Sequence, residues 1–304
     1  MKFNSSFCIN LSRLPVAAHG LVLALVFFLP GVMVSAQEPA RLDFHFEHAN
    51  LNARVWQPQG EPVDTMIALP GSGGDYQRYK RIGPRLAEAG YKVVAMNQRG
   101  IAGSTGKLED LTLSDYARDV IAVADELGLE QFHMMGWAFG NRISRMAATE
   151  YPGRIKSVIL IAAGGLVPAL TVQGELGRLL GEPGLPQGEK IALARRTLFS
   201  PLTDASLVRD YVDTLTYWPE GRRAQQQANR NTPLEIWSAG GSAPLLMVMG
   251  EDDLTAPVEN GYIMQERHGE RMQLVVIPGA GHVVGLEKPA ETASAIIAFI
   301  RSLE

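Results

Sequence analysis

The chain has one cysteine, Cys8, and none after it. An internal disulfide is therefore excluded, and no thiol is available to any site beyond position 8. Basic runs are also missing. Lys and Arg total 28 against 32 Asp and Glu, a balance that argues against nucleic acid as a partner. No uninterrupted apolar run reaches the roughly 20 residues that a membrane-spanning helix needs. There is no internal repeat and no low-complexity stretch. The glycines of "GIAGSTGK", 100–107, match neither a P-loop nor a dinucleotide fingerprint, so no nucleotide cofactor is indicated. His45 and His48 form H-x-x-H. On a strand that spacing puts them on opposite faces, so no metal site is expected there.

What is present begins with a leader. Lys2 and Arg13 precede a pure apolar run, Leu21 to Leu29, with Pro30-Gly31 after it and "VSA" at 34–36. This layout predicts a signal peptide over residues 1–36, cleaved after Ala36, and a periplasmic or secreted protein that is not membrane-bound once processed. Processing would remove two basic residues and no acidic one, giving a net charge of about −6.

Alternating runs at Arg41–His48 and Leu51–Pro58 predict two antiparallel strands joined at Ala49-Asn50. Beyond them apolar runs alternate with helical patterns. Strands are expected at 65–70, 91–97, 131–135 and 155–163, and helices at 76–89, 112–128 and 138–150. Thr112 and Asp115 form a capping box. Continuous apolar strands separated by helices indicate an α/β fold with a mostly parallel sheet covered on both faces. From 167 to 241 the strand pattern stops and helical stretches replace it, at 190–199, 205–218 and 222–229. Strands resume at 244–250 and 272–279, and a helix closes the chain at 288–303. The expected organisation is a core of 37–166 plus 242–304, interrupted by a helical cap, 167–241.

Three strand ends carry candidate chemistry. Gly136-Trp137-Ala138-Phe139-Gly140 has the glycine spacing of a strand-to-helix turn that presents a nucleophilic serine, with alanine in the serine's place. "GEDDLTAP", 250–257, supplies Asp253, with Asp252 as the alternative acid. "GAGH" supplies His282. Turn, acid and histidine follow in that chain order, each just past a strand end.

These segments, together with "LPGSGGDYQRYKRIGPRLAEAGYKVVAMNQRGIAGST", resemble the α/β-hydrolase superfamily over nearly all of 41–304. The resemblance implies Asp253 as the acid, His282 as the base, and the Ser72 and Phe139 N–H groups as oxyanion donors. It departs from the family at Ala138, at Pro70 (usually His) and at Asn97 (usually Asp). Trp137, Phe139, Trp218 and Trp237 suggest an apolar pocket for a small-molecule substrate or ligand, with no cofactor. The favoured reading is a His/Asp-dependent enzyme that hydrolyses or abstracts a proton without a serine nucleophile. The alternatives are a non-catalytic ligand binder, an esterase whose serine has moved to Ser72 or Ser104, and an engineered Ser-to-Ala trap. His133 reads as a core residue inside a strand, and His268 as the end of a helix.

Intact-mass measurement of periplasmic material should give a chain beginning at Gln37; a mass that includes Met1 would contradict it.

Overall fold

The computed structural model describes residues 38–304, so the leader, Cys8 and the expected cleavage point lie outside the described residues. The strands are β1 (Ala40–His45), β2 (Ala49–Trp56), β3 (Asp64–Leu69), β4 (Tyr91–Asn97), the two-residue β5 (Thr105–Gly106), β6 (Phe132–Trp137), β7 (Ile155–Ile161), β8 (Leu245–Gly250) and β9 (Met272–Ile277). The helices of the sheet layers are α1 (Gly83–Glu88), α2 (Leu113–Glu126) and α3 (Phe139–Glu150). The segment between β7 and β8 carries α4 (Glu175–Gly181), α5 (Gln187–Leu198), α6 (Ala205–Asp213), α7 (Pro219–Asn231) and α8 (Leu234–Trp237). After β8 come α9 (Glu259–His268), α10 (Val284–Glu287) and α11 (Pro289–Arg301).

The sheet order is β1-β2-β4-β3-β6-β7-β8-β9, with β5 hydrogen-bonded to β2. The first pairings, β1 with β2 and β2 with β4, are antiparallel. From β4 through β3, β6, β7, β8 to β9 every pairing is parallel. The central strands are apolar on both faces because both faces are covered. All six residues of β6 and of β8 are buried. Each aliphatic side chain sealed there contributes about 1.5–3 kcal/mol relative to exposure. A parallel sheet sends all its strand ends to one edge. The chain therefore leaves β3, β6, β8 and β9 on the same side, which places four loops side by side.

Several boundaries differ from the sequence reading. The first hairpin turns at residues 46–48, closed by Phe46 N–H to the Ala49 carbonyl at 2.9 Å, so Ala49 and Asn50 belong to β2. No glycine or proline marks that turn, and the alternating pattern runs through it. His48 consequently lies outside the strand. It contacts Asp119 at 3.1 Å, while His45 contacts Asn50 at 2.9 Å. The helix expected over 76–89 is a 3-10 turn at Tyr76–Tyr79 followed by α1. Pro84 is the reason: it lacks an N–H and can only open a helix. The pattern at 205–218 ends at Asp213, and α4 and α9 lacked a strong sequence signal. The Thr112–Asp115 capping box does form. His133 is buried between Ser157 and Asp64, and His268 ends α9.

Among the described glycines, the closest backbone approach lies where α3 starts beside β3. A Cβ added at Gly140 would lie 2.1 Å from the Leu69 carbonyl oxygen. One at Gly136 would lie 2.4 Å from the Gly140 backbone. Only glycine lets the backbones meet there. Gly140→Ala should lower stability by about 3 kcal/mol, the upper end of overpacking costs, when measured by denaturant unfolding. A loss below about 0.5 kcal/mol would contradict that packing.

Candidate active site

Ala138 joins β6 to α3 with φ 47° and ψ −112°. This is a left-handed conformation that an L-residue adopts only under constraint, at a cost of about 1–3 kcal/mol. The constraint comes from both sides. Ala138 N–H donates to the Ile161 carbonyl at 3.0 Å, and the Ala138 carbonyl accepts from Asn141 N–H at 3.1 Å and from the Asn141 side chain. The turn that usually presents a serine is thus intact around an alanine.

Beside it runs the loop after β3. Pro70 stands at the start of this loop. Its carbonyl accepts from Gln98 Nε2 at 2.9 Å, and Gln98 Oε1 accepts from Gln225 Nε2 at 2.7 Å. Gln225 Oε1 in turn accepts from Gly73 N–H at 2.8 Å. The loop is clamped between β4 and α7. Ser72 and Phe139 both line the cavity next to Ala138. Among the described residues neither spends its backbone N–H on a hydrogen bond. The Ser72 hydroxyl is also buried without a partner. Two N–H donors and a hydroxyl therefore remain free at the cavity wall, next to a helix N-terminus.

The acid and the histidine are brought together from the ends of β8 and β9. His282 Nδ1 lies 2.8 Å from Asp253 Oδ2. The other oxygen of Asp253 accepts from the N–H groups of Thr255, at 2.9 Å, and Ala256, at 2.7 Å. With both oxygens occupied the carboxylate is held as an acceptor, which places the imidazole proton on Nδ1 and leaves Nε2 as the basic atom. Nε2 makes no hydrogen bond among the described residues, and His282 lines the same cavity as Ala138. Asp252 is not the partner; it accepts from the Ser200 hydroxyl at 2.5 Å. Trp137 Nε1 donates to the His282 carbonyl at 2.8 Å, and the two rings lie 5.4 Å apart.

The sequence reading missed one supporting residue. Glu287 accepts from the N–H groups of Gly281 and Ser200, both at 2.8 Å, and from the Thr203 hydroxyl. It ties the histidine loop to the end of α5. Burial pushes its carboxyl above the usual range, against the pull of those hydrogen bonds. A lone Glu five residues past the histidine gave no periodic or motif signal.

The cavity measures about 400 Å³, within the range of small-molecule sites. Trp137 and Phe139 line it, but Trp218 and Trp237 do not. Trp218 donates to Thr216 at 3.1 Å, and Trp237 lies beneath the guanidinium groups of Arg142 and Arg145 at 5.3 and 4.5 Å. Ser104 is also elsewhere. Its hydroxyl accepts from Asn52 N–H at 3.0 Å and donates to the Asn97 carbonyl at 2.9 Å, a loop-holding role that leaves no free hydroxyl. Asn97 is structural in the same way, accepting from Tyr76 N–H at 3.0 Å.

Residues 64–289 match the family model described as the alpha/beta hydrolase fold. The chain belongs to this family. Among related proteins, the 2-hydroxy-6-oxo-6-phenylhexa-2,4-dienoate hydrolase of Burkholderia cepacia is 29% identical over 248 residues, covering 74% of this chain and 82% of its own. The dihydrolipoyllysine-residue acetyltransferase component of the acetoin cleaving system of Pseudomonas putida is 25% identical over 259 residues, and this chain spans 66% of its length. A thermophilic esterase from Thermogutta terrifontis superposes with a TM-score of 0.69 at 19% identity, over 87% of this chain and 99% of its own. The esterase likeness shows the fold, and the hydrolase of Burkholderia cepacia supports a hydrolase-type function for this α/β-hydrolase.

The geometry makes a sharp chemical prediction. A serine-directed fluorophosphonate should leave this α/β-hydrolase unlabelled by mass spectrometry, because Ala138 offers no oxygen and Ser104 is held in its loop. Stoichiometric labelling of Ser72 would show that the nucleophile had moved there.

Proposed function

We propose that the chain is an exported enzyme that processes a small organic substrate with His282 as general base, Asp253 as its orienting partner and no covalent intermediate. The observation that carries this reading is the 2.8 Å His282–Asp253 pair, with Nε2 free in a cavity bounded by unspent N–H donors. In a hydrolysis, Nε2 takes a proton from water as the water oxygen attacks an acyl carbon. The Ser72 and Phe139 N–H groups hold the negative charge that develops on the carbonyl oxygen, and the imidazolium then returns its proton to the leaving group. The same base removes a proton from an acidic carbon or hydroxyl when the substrate offers one. No atom of residue 138 takes part in either step. The export assignment rests on the leader at 1–36.

The cost of lacking a nucleophile bounds the expected rate. Serine proteases that lose a triad member retain about 10³–10⁴-fold catalysis over water. A substrate that needs only a base and an oxyanion pocket suits this site better than a simple ester does. One observation favours a second reading, a ligand binder on the hydrolase fold: the turn that usually carries the attacking oxygen carries a methyl group.

The two readings separate on His282. Purified protein should hydrolyse 4-nitrophenyl butyrate slowly and without a burst. His282→Ala should lower kcat/KM about 100-fold or more, the lower range for loss of a general base. Equal rates for the two proteins, each with an unchanged melting curve, would favour the binder.

A further inference from the structure

Three arginines line the cavity that holds Ala138 and His282: Arg78, Arg142 and Arg222. They come from the turn after β3, from α3 and from α7. Among the described residues none of them makes an ion pair. Among the described residues no Asp or Glu lines the cavity. What they do contact is neutral. Arg142 donates to Asn229 and lies over Trp237. Arg78 lies over Tyr211 at 4.2 Å. The Nε atoms of Arg78 and Arg222 are buried with no acceptor. Asp75, next to the lining residue Gly74, accepts from Gln77 N–H at 3.0 Å and faces Thr216 at 3.4 Å, and Asp253 holds His282.

Half-buried cations without counter-charges are costly unless something pairs with them. Burial lowers the pKa values of Arg142 and Arg222, in keeping with the lack of an ion pair for either among the described residues. A wall role alone would be filled at lower cost by Leu or Met. Three guanidinium groups around one cavity therefore call for a negative charge that arrives from outside, and the planar guanidinium fork matches an oxyanion.

We propose that this cavity takes an organic oxyanion, a carboxylate or a phosphate on a small apolar body, with its charged end held by Arg78, Arg142 and Arg222. The apolar body lies against Trp137, Leu176, Leu180 and Leu198, with the reacting group facing His282. This assignment rests on reading the cavity as the substrate site, and it refines the apolar ligand expected from the aromatic residues.

Binding to the full chain, followed by calorimetry without turnover, tests it. 4-Phenylbutyrate should bind at least about tenfold more tightly than the neutral 4-phenylbutyramide, since hydrogen bonds to charged groups exceed that contrast. Phenyl phosphate serves as the second anion: if it binds more tightly than the carboxylate, the anion is a phosphate, and the reverse order marks a carboxylate. Arg142→Gln and Arg222→Gln should each weaken 4-phenylbutyrate about tenfold and leave the amide within about twofold. Equal affinity for acid and amide, or no binding of either anion, would overturn the proposal. So would folded Arg142→Gln and Arg222→Gln proteins that both bind the acid normally. If either variant fails to fold, the contrast between acid and amide on the unaltered chain still decides. Anion-selective binding by a protein with no His282-dependent turnover would keep this assignment and remove the enzyme reading.

Discussion

The site depends on one contact, the backbone of Gly140 pressed against the Leu69 carbonyl at the end of β3. That approach sets the distance between the loop carrying Ser72 and the turn carrying Ala138. It requires glycine at 140, and glycine at 136 so that β6 can pass under the start of α3. With both backbones in place, Ala138 is driven into its left-handed conformation and the Phe139 N–H is left at the cavity wall. The strain is local and sits on a residue with no reactive atom. Preorganised N–H donors near such a turn are worth about 2.7–4 kcal/mol each in comparable sites, and they belong to the backbone, so the identity of residue 138 does not remove them.

Charge around the cavity is divided between two walls. On one, Asp253 is saturated by two backbone N–H groups and the imidazole, and Glu287 ties the histidine loop to the end of α5. On the other, Arg78 and Arg142 stand on aromatic faces and Arg142 also donates to Asn229, while none of the three arginines meets a carboxylate among the described residues. The first wall fixes a base. The second lacks its counter-charge. Together they support the proposals made above, a charged small-molecule ligand and proton transfer without covalent capture.

Much of this was legible in the sequence because it is local. The glycines at 136 and 140, the acid loop and the histidine each lie just past an apolar run, and their chain order is visible without coordinates. The resemblance pointed to Asp253 rather than Asp252, and Asp253 is the acid that meets His282. What was not legible is Ser200, which donates to Asp252 and comes from another part of the chain. The arginines were invisible for the same reason. Arg142 reads as the polar face of a helix and Arg222 as part of a basic pair, and only the packing of α7 over the loop after β3 brings them to one cavity. Trp218 and Trp237 misled because aromatic residues mark burial more reliably than they mark a pocket. The first hairpin was misplaced because its alternation continues through a turn that has neither glycine nor proline.

On the reading proposed above, the site lacks one oxygen and is otherwise assembled. Ala138→Ser measures this most directly. Mixing the folded variant with excess 4-nitrophenyl butyrate should give a burst of about one equivalent of nitrophenol and an acyl adduct on residue 138, both lost when His282→Ala is added. A variant with an unchanged melting curve and no burst would contradict it, and would mean that base, turn and N–H donors are not in register.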